Sequence, residues 1–147
     1  FLMGIVVRSL LCAAASFYDE VMELIVGIGT DIIEIFRMKK AIENKQFIQR
    51  VFTQKEIAYC DSRGAQRAAS YAARFAGKEA VLKAFGTGLR HGSLQDIEIL
   101  PDELGCPKLQ LSGYFARLAE ENGIRQLLVS LSHAQEYAVA QCVLGRD

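Results

Sequence analysis

AQRAASYAARFAGKEAVLKAF, from Ala65 to Phe85, is the stretch on which the fold turns. It is rich in Ala, Lys, Glu and Arg and is closed by Gly86, which predicts one long helix, roughly 30 Å from end to end at the usual rise. With residues about 100° apart round the axis, Tyr71, Phe75, Leu82 and Phe85 share a broad face that must pack on a core. Glu79 and Lys83 stand one turn apart on another face, with Ala72, Ala76 and Gly86 beside them. Small residues around a carboxylate and an amine leave room for something to approach. Gly77 predicts a close neighbour, since glycine inside a helix costs about 1 kcal/mol relative to alanine. Taken alone, Glu79 and Lys83 are the favoured i, i+4 surface pair, worth about 0.2–0.5 kcal/mol. The following Gly86-Thr87-Gly88 has two readings: glycine N–H groups that approach phosphate oxygens closely, or a simple helix stop.

Upstream, ELIVGIGTDI from Glu23 is dense in β-branched residues and glycine and predicts a buried strand ending near Asp31. Asp31 is then either the cap of the following helix or a metal ligand at a strand's carboxyl end. The next element, Ile32 to about Arg50, is expected as a helix anchored by Ile35, Ile42, Phe47 and Ile48. Between Arg37 and Lys55 six basic residues face one acid, Glu43, on a chain whose total charge is zero. Such a run is a solvated face by default, and its asymmetry points to an acidic partner. Thr53-Gln54-Lys55-Glu56 has the spacing of a capping box and predicts a short helix to about Asp61.

Downstream of the long helix the period changes from helical to alternating. DIEIL from Asp96 and KLQLS from Lys108, joined by PDELGCP, predict an antiparallel hairpin. Tyr114 to Asn122 predicts a helix closed by Gly123, with Ser112 as a cap. LLVSLSH and YAVAQCVL predict a second hairpin, and His133 ends its first strand. The order indicates an α+β fold, a mostly antiparallel sheet packed on one long helix.

The bulk composition narrows the function classes. The chain has 147 residues, 51% of them hydrophobic, which is ample for one domain with a genuine core. Seventeen basic residues balance seventeen acidic ones, which argues against generic nucleic-acid binding. Cys12, Cys60, Cys106 and Cys142 form no C-x-x-C pair, so reduced cytoplasmic thiols are expected and neither a disulfide framework nor a zinc site is. In FLMGIVVRSLLCAAASFYDEV the apolar run is short and Arg8 interrupts it, which suits neither a signal peptide nor a membrane span. Residues 1–21 are read as an extension outside the fold, Met22 as a natural start, and 22–147 as one domain.

Four pieces stand in order: GIGTDIIEI from Gly27, RFAGKEAVLKAFGTG from Arg74, SLQDIEI from Ser93 and SLSH from Ser130. Together, over about Met22 to Leu144, they resemble a holo-(acyl-carrier-protein) synthase, the small bacterial type of 4'-phosphopantetheinyl transferase. G-I-G-x-D, F-A-x-K-E-A and S-x-S/T-H are that family's signatures. The extension is a departure from the family, and so is Thr30, which stands where a leucine is common.

The resemblance implies the 4'-phosphopantetheinyl transferase-like fold and a reaction serving fatty acid biosynthesis in the cytoplasm. In it a serine of apo acyl carrier protein attacks the β-phosphorus of coenzyme A, and adenosine 3',5'-bisphosphate leaves. It implies Asp31 and Glu79 as the pair holding Mg²⁺, the cofactor, against the pyrophosphate, and Lys83 as the ammonium offsetting its charge. Arg74, Gly86, Thr87, Gly88 and His133, with Lys83, are similar to the groups that hold the nucleotide and its phosphates. The base for the serine proton is Glu79 or a water it holds, with His133 as second candidate. Arg37 matches the arginine that receives the carrier's acidic helix, and Lys40 widens that patch. The resemblance also implies a homotrimer with active sites at subunit interfaces, and partners that include neither nucleic acid nor membrane. The alternative is a non-catalytic coenzyme A or nucleotide-binding module.

Overall fold

The computed structural model describes residues 24–146; the expected extension, residues 1–21, and the start at Met22 lie outside the described residues. Strand β1 (Ile25–Glu34) leads through helices α1 (Ile35–Ala41), α2 (Lys45–Val51) and α3 (Gln54–Asp61) and a 3-10 turn (Gly64–Gln66) to α4 (Arg67–Phe85). A second 3-10 turn (Leu94–Asp96), the hairpin β2 (Ile97–Pro101) and β3 (Pro107–Leu111), α5 (Gly113–Glu121), β4 (Gln126–His133) and β5 (Tyr137–Gly145) follow. The sheet is antiparallel in the order β1-β5-β4, and β2-β3 is a separate two-stranded ribbon.

Helix α4 is the axis of the molecule. Of the stripe expected to face the core, Tyr71 and Leu82 are buried and Phe75 and Phe85 half-buried. The sheet rests on the helix through its smallest residues, Gly27 and Gly29 of β1 and Ala138, Ala140 and Cys142 of β5. A Cβ on Gly29 would lie 1.8 Å from the Ala80 carbonyl oxygen, and one on Gly27 would lie 2.1 Å from that of Ala84. Strand and helix thus meet backbone to backbone, which only glycine permits. Gly77 also has its expected neighbour, since a Cβ there would meet Ile99 Cδ1 at 2.5 Å.

Three expectations need correction. The first strand is buried on one face only, since Ile28 and Ile32 lie exposed on the other. The first strand does not end near Asp31; it continues to Glu34, paired with Tyr137, because β5 offers hydrogen-bonding partners along its whole length. The segment from Ile32 to Arg50 is not one helix. Ile32 to Glu34 belong to the strand, and Asn44 breaks the remainder by accepting hydrogen bonds from the N–H groups of Gln46 (2.9 Å) and Phe47 (3.3 Å). The capping box at Thr53 forms as expected, and both hairpins stand where the alternation put them. Ser112 occupies the cap position of α5 without a side-chain hydrogen bond.

The outer face of the three-stranded sheet has no helix over it among the described residues. Side chains alternate faces along a strand, so the registered rows Ile28-Val143-Leu128 and Ile32-Val139-Ser132 both point outward. Ile28 and Ile32 are each 62% exposed.

Candidate active site

Asp31 lies in mid-strand, so it caps no helix; the N-cap of α1 is Glu34, which makes no side-chain bond there. The seating of Gly29 on Ala80 carries Asp31, two residues further on the same inner face, alongside the next groups of α4. Lys83 Nζ donates to Asp31 Oδ1 at 3.0 Å and to the Thr30 carbonyl at 3.0 Å. Asp31 and Glu79 line one cavity of about 360 Å³, together with Arg37, Met38, Phe47 and Phe75. Burial, and then the charge of Asp31, push the Glu79 carboxyl above the ordinary glutamate range, while Lys83 pulls it back. Two carboxylates facing one cavity offer it anionic oxygens of the kind that ligate a cation.

The donor set selects among cations. No cluster of three or more His, Cys, Asp or Glu side chains able to hold a metal occurs among the described residues. Two carboxylates beside a cavity suit Mg²⁺, which keeps several waters and takes phosphate oxygens, and do not suit a four-ligand structural zinc site. Thiolate chemistry is equally unfavoured at two of the cysteines, since burial pushes the Cys60 and Cys142 thiols up to about 12.

Arg74 and His133 meet elsewhere. Five residues along a helix turn roughly 140° round its axis, so Arg74 and Glu79 leave α4 on different sides. Arg74 is only 5% exposed. It donates from Nε to the Ile99 carbonyl (3.1 Å) and from Nη1 to that of Ser70 (3.3 Å), and its guanidinium lies 4.2 Å from the centre of the Tyr59 ring. With His133, Tyr59, Arg63 and Gln66 it lines a second cavity of about 210 Å³. Within one chain, then, His133 does not share the cavity of Glu79.

The Gly86-Thr87-Gly88 segment is a helix stop. Gly86 is left-handed at φ 74°, and its N–H is spent on the Leu82 and Lys83 carbonyls at 3.0 and 3.1 Å, so it is not free for a phosphate. Gly88 is also left-handed, at φ 61°. Thr87 lines a third cavity, with Phe85, Leu118 and Arg146. On α1, Arg37 reaches the Asp31 and Glu79 cavity, and the exposed Lys40 holds its ammonium 4.5 Å above the Phe36 ring.

Two charged groups, one in the capping box and one in the F-A-x-K-E-A signature, have a role the sequence did not show. Lys78 and Glu56 are both 0% exposed and pair at 2.8 Å. Lys78 falls on the apolar stripe between Tyr71 and Leu82, and a lysine on a core-facing stripe is a signal of a buried partner. Tyr59 and Arg63, in the second cavity, carry no such mark.

Comparisons with known proteins bear on the family and the fold. The family model of the 4'-phosphopantetheinyl transferase superfamily matches residues 27–142. A holo-(acyl-carrier-protein) synthase of Ruminiclostridium cellulolyticum is 51% identical over 121 residues, which are 80% of this chain and 90% of that one. Among solved structures, a holo-(acyl-carrier-protein) synthase from Bacillus anthracis in complex with coenzyme A (3',5'-ADP) superposes with TM-score 0.71 at 37% identity, covering 84% of this chain and 99% of that one. The corresponding protein from Neisseria meningitidis superposes with TM-score 0.77 at 33% identity, covering 84% of this chain and 100% of that one.

Proposed function

The chain belongs to the 4'-phosphopantetheinyl transferase superfamily, and from that premise we propose that it is a holo-(acyl-carrier-protein) synthase. It transfers 4'-phosphopantetheine from coenzyme A to a serine of apo acyl carrier protein and releases adenosine 3',5'-bisphosphate, serving fatty acid biosynthesis in the cytoplasm. The observation that carries this reading is the shared cavity of Asp31 and Glu79, with Arg37 at its edge.

Asp31 and Glu79 would hold Mg²⁺. Such an ion supplies charge neutralisation on the pyrophosphate oxygens when bound. Lys83, already beside Asp31, adds an ammonium at the same end of the site. Phosphoryl-type transfer demands mainly in-line positioning and electrostatic stabilisation, so these groups address most of the barrier. Glu79 is the first candidate for the serine proton: its affinity for protons is raised, and Arg37, the proposed receiver of the acidic carrier, lines its cavity. Lys40 widens that docking patch.

Arg74 and His133 hold the nucleotide end, with Gly86, Thr87 and Gly88 closing the site through the shape of the turn rather than through the Gly86 N–H. Their separation from Glu79 within one chain favours a site shared between copies. The exposed Ile28, Leu128, Ile32 and Val139 on the outer sheet face favour a homotrimer packed through that face.

The test is transfer itself. Incubation with coenzyme A, Mg²⁺ and apo acyl carrier protein should add the mass of phosphopantetheine to the carrier, and a chelator should stop it. Glu79→Gln should lower turnover by about 10²- to 10³-fold while the protein stays folded. An unmodified carrier would overturn the reading, and a fully active variant would remove Glu79 from it.

A further inference from the structure

Lys78 and Glu56 take no part in the reaction proposed above, yet they form a fully buried polar group with every charged atom hydrogen-bonded. Lys78 Nζ donates to three acceptors: Glu56 Oε2 at 2.8 Å, the Leu94 carbonyl at 2.8 Å and the Ile97 carbonyl at 2.6 Å. Glu56 Oε2 also accepts from the Thr53 N–H at 2.9 Å, and Glu56 Oε1 accepts from the Ile99 N–H at 2.8 Å. Thr53 Oγ1 in turn donates to Glu98 Oε2 at 2.6 Å. One buried ammonium and one buried carboxylate thus tie the start of α3, the middle of α4, the 3-10 turn Leu94–Asp96 and β2 to a common point.

A buried ion pair is a poor source of stability compared with apolar side chains of the same volume, because desolvation offsets the attraction. What it supplies is direction. The groups fixed here are the residue immediately before Glu79 and the far end of the segment that begins at Gly86. That segment is bound to α4 twice, at its start by the Gly86 N–H and at its end by Lys78 through the Leu94 and Ile97 carbonyls. Neither attachment touches the cavity of Asp31 and Glu79.

We infer that the Lys78–Glu56 pair is a positioning clamp, locking the helix turn that presents Glu79 to the loop from Gly86 to Ser93. The inference rests on the proposed reaction. Groups behind the ligands of a metal commonly set its affinity, and their loss costs about 10- to 100-fold in metal binding or activity. Lys78 and Glu56 are positioning residues in this sense and touch no substrate.

The test is the double variant Lys78→Met with Glu56→Gln. Methionine fills the lysine channel without charge, and the glutamine carbonyl keeps the Ile99 N–H paired. The expected result is a folded protein in which Mg²⁺ half-saturation for transfer rises and kcat falls, each by about tenfold or more, while KM for the carrier stays within about twofold. Without metal or substrate, amide exchange between Gly86 and Ile97 should accelerate and that of the β4-β5 hairpin should not. Glu56→Gln alone keeps the Lys78 bonds to the Leu94 and Ile97 carbonyls but leaves the buried ammonium without its counter-charge, so it should melt below the double variant. A folded double variant with wild-type Mg²⁺ dependence and exchange overturns the proposal. So does one that fails to fold, since the pair then holds the whole core and not the site. If the wild-type protein transfers nothing, the proposed reaction falls, and the exchange measurement alone decides the clamp.

Discussion

Glu79 answers to two opposing demands. As the proposed metal ligand it must be ionised, yet burial and the neighbouring Asp31 favour its protonated form. Linkage fixes the sign of the consequence: a carboxyl raised in the folded state contributes stability that is fully present below the unfolded glutamate value and is lost as pH rises through the folded one. In a chelator, Glu79→Gln should therefore melt at a higher temperature than the wild type near pH 7, and the difference should shrink as pH falls below the ordinary carboxylate range. Excess Mg²⁺ near neutral pH should reverse the order by stabilising only the wild type. Calorimetry across pH checks this, and an unchanged or lower melting point for the variant in chelator would remove the strain assigned to this residue. The resemblance set Asp31 and Glu79 side by side from two short motifs, and the two do line one cavity. The pairing of Lys78 with Glu56 was not legible, since i, i+3 and i, i+4 patterns read charge as exposed and the partner of Lys78 lies on another helix.

Between elements, the junction of β1 and α4 brings Asp31 to Glu79. Glycine in a strand ordinarily signals a turn or a bulge, but Gly29 instead lets the strand lie against the Ala80 carbonyl. An added methyl there meets backbone, which cannot rotate away. At Gly77 the nearest atoms are the ends of Ile99 and Leu131, and alanine also regains about 1 kcal/mol of helix propensity. Gly29→Ala should therefore destabilise by roughly 3 kcal/mol and weaken Mg²⁺-dependent transfer with it, whereas Gly77→Ala should cost about 1 kcal/mol or less. Urea melts of both variants check the order, and equal losses would mean that the close approach of strand to helix is not what seats Asp31. The long helix, the capping box and both hairpins were legible from period and spacing. The extension of β1 past Asp31 was not, because its last residues are held by pairing with Tyr137 and Ala138, far along the chain.

At the scale of the whole molecule the two halves of the proposed site do not meet. Asp31, Glu79 and Arg37 line one cavity, while Arg74 and His133 line another, leaving α4 on a different side. Four motifs in one chain carry no mark of which copy completes which cavity, so this division was illegible in the sequence. The uncovered rows around Ile28 and Ile32 offer a second copy a place to pack, and a ring of copies can set the first cavity of one against the second cavity of the next. Glu79→Gln and His133→Ala should each be nearly inactive alone. Co-expressed in equal amounts, they should recover about a quarter of wild-type turnover, because chance pairing supplies an intact Glu79 and an intact His133 to one site in about four. If both residues of a single chain served the same site, every site in the mixture would carry a defect and nothing would be recovered. Turnover of the co-purified mixture, measured beside each variant alone, separates the two arrangements.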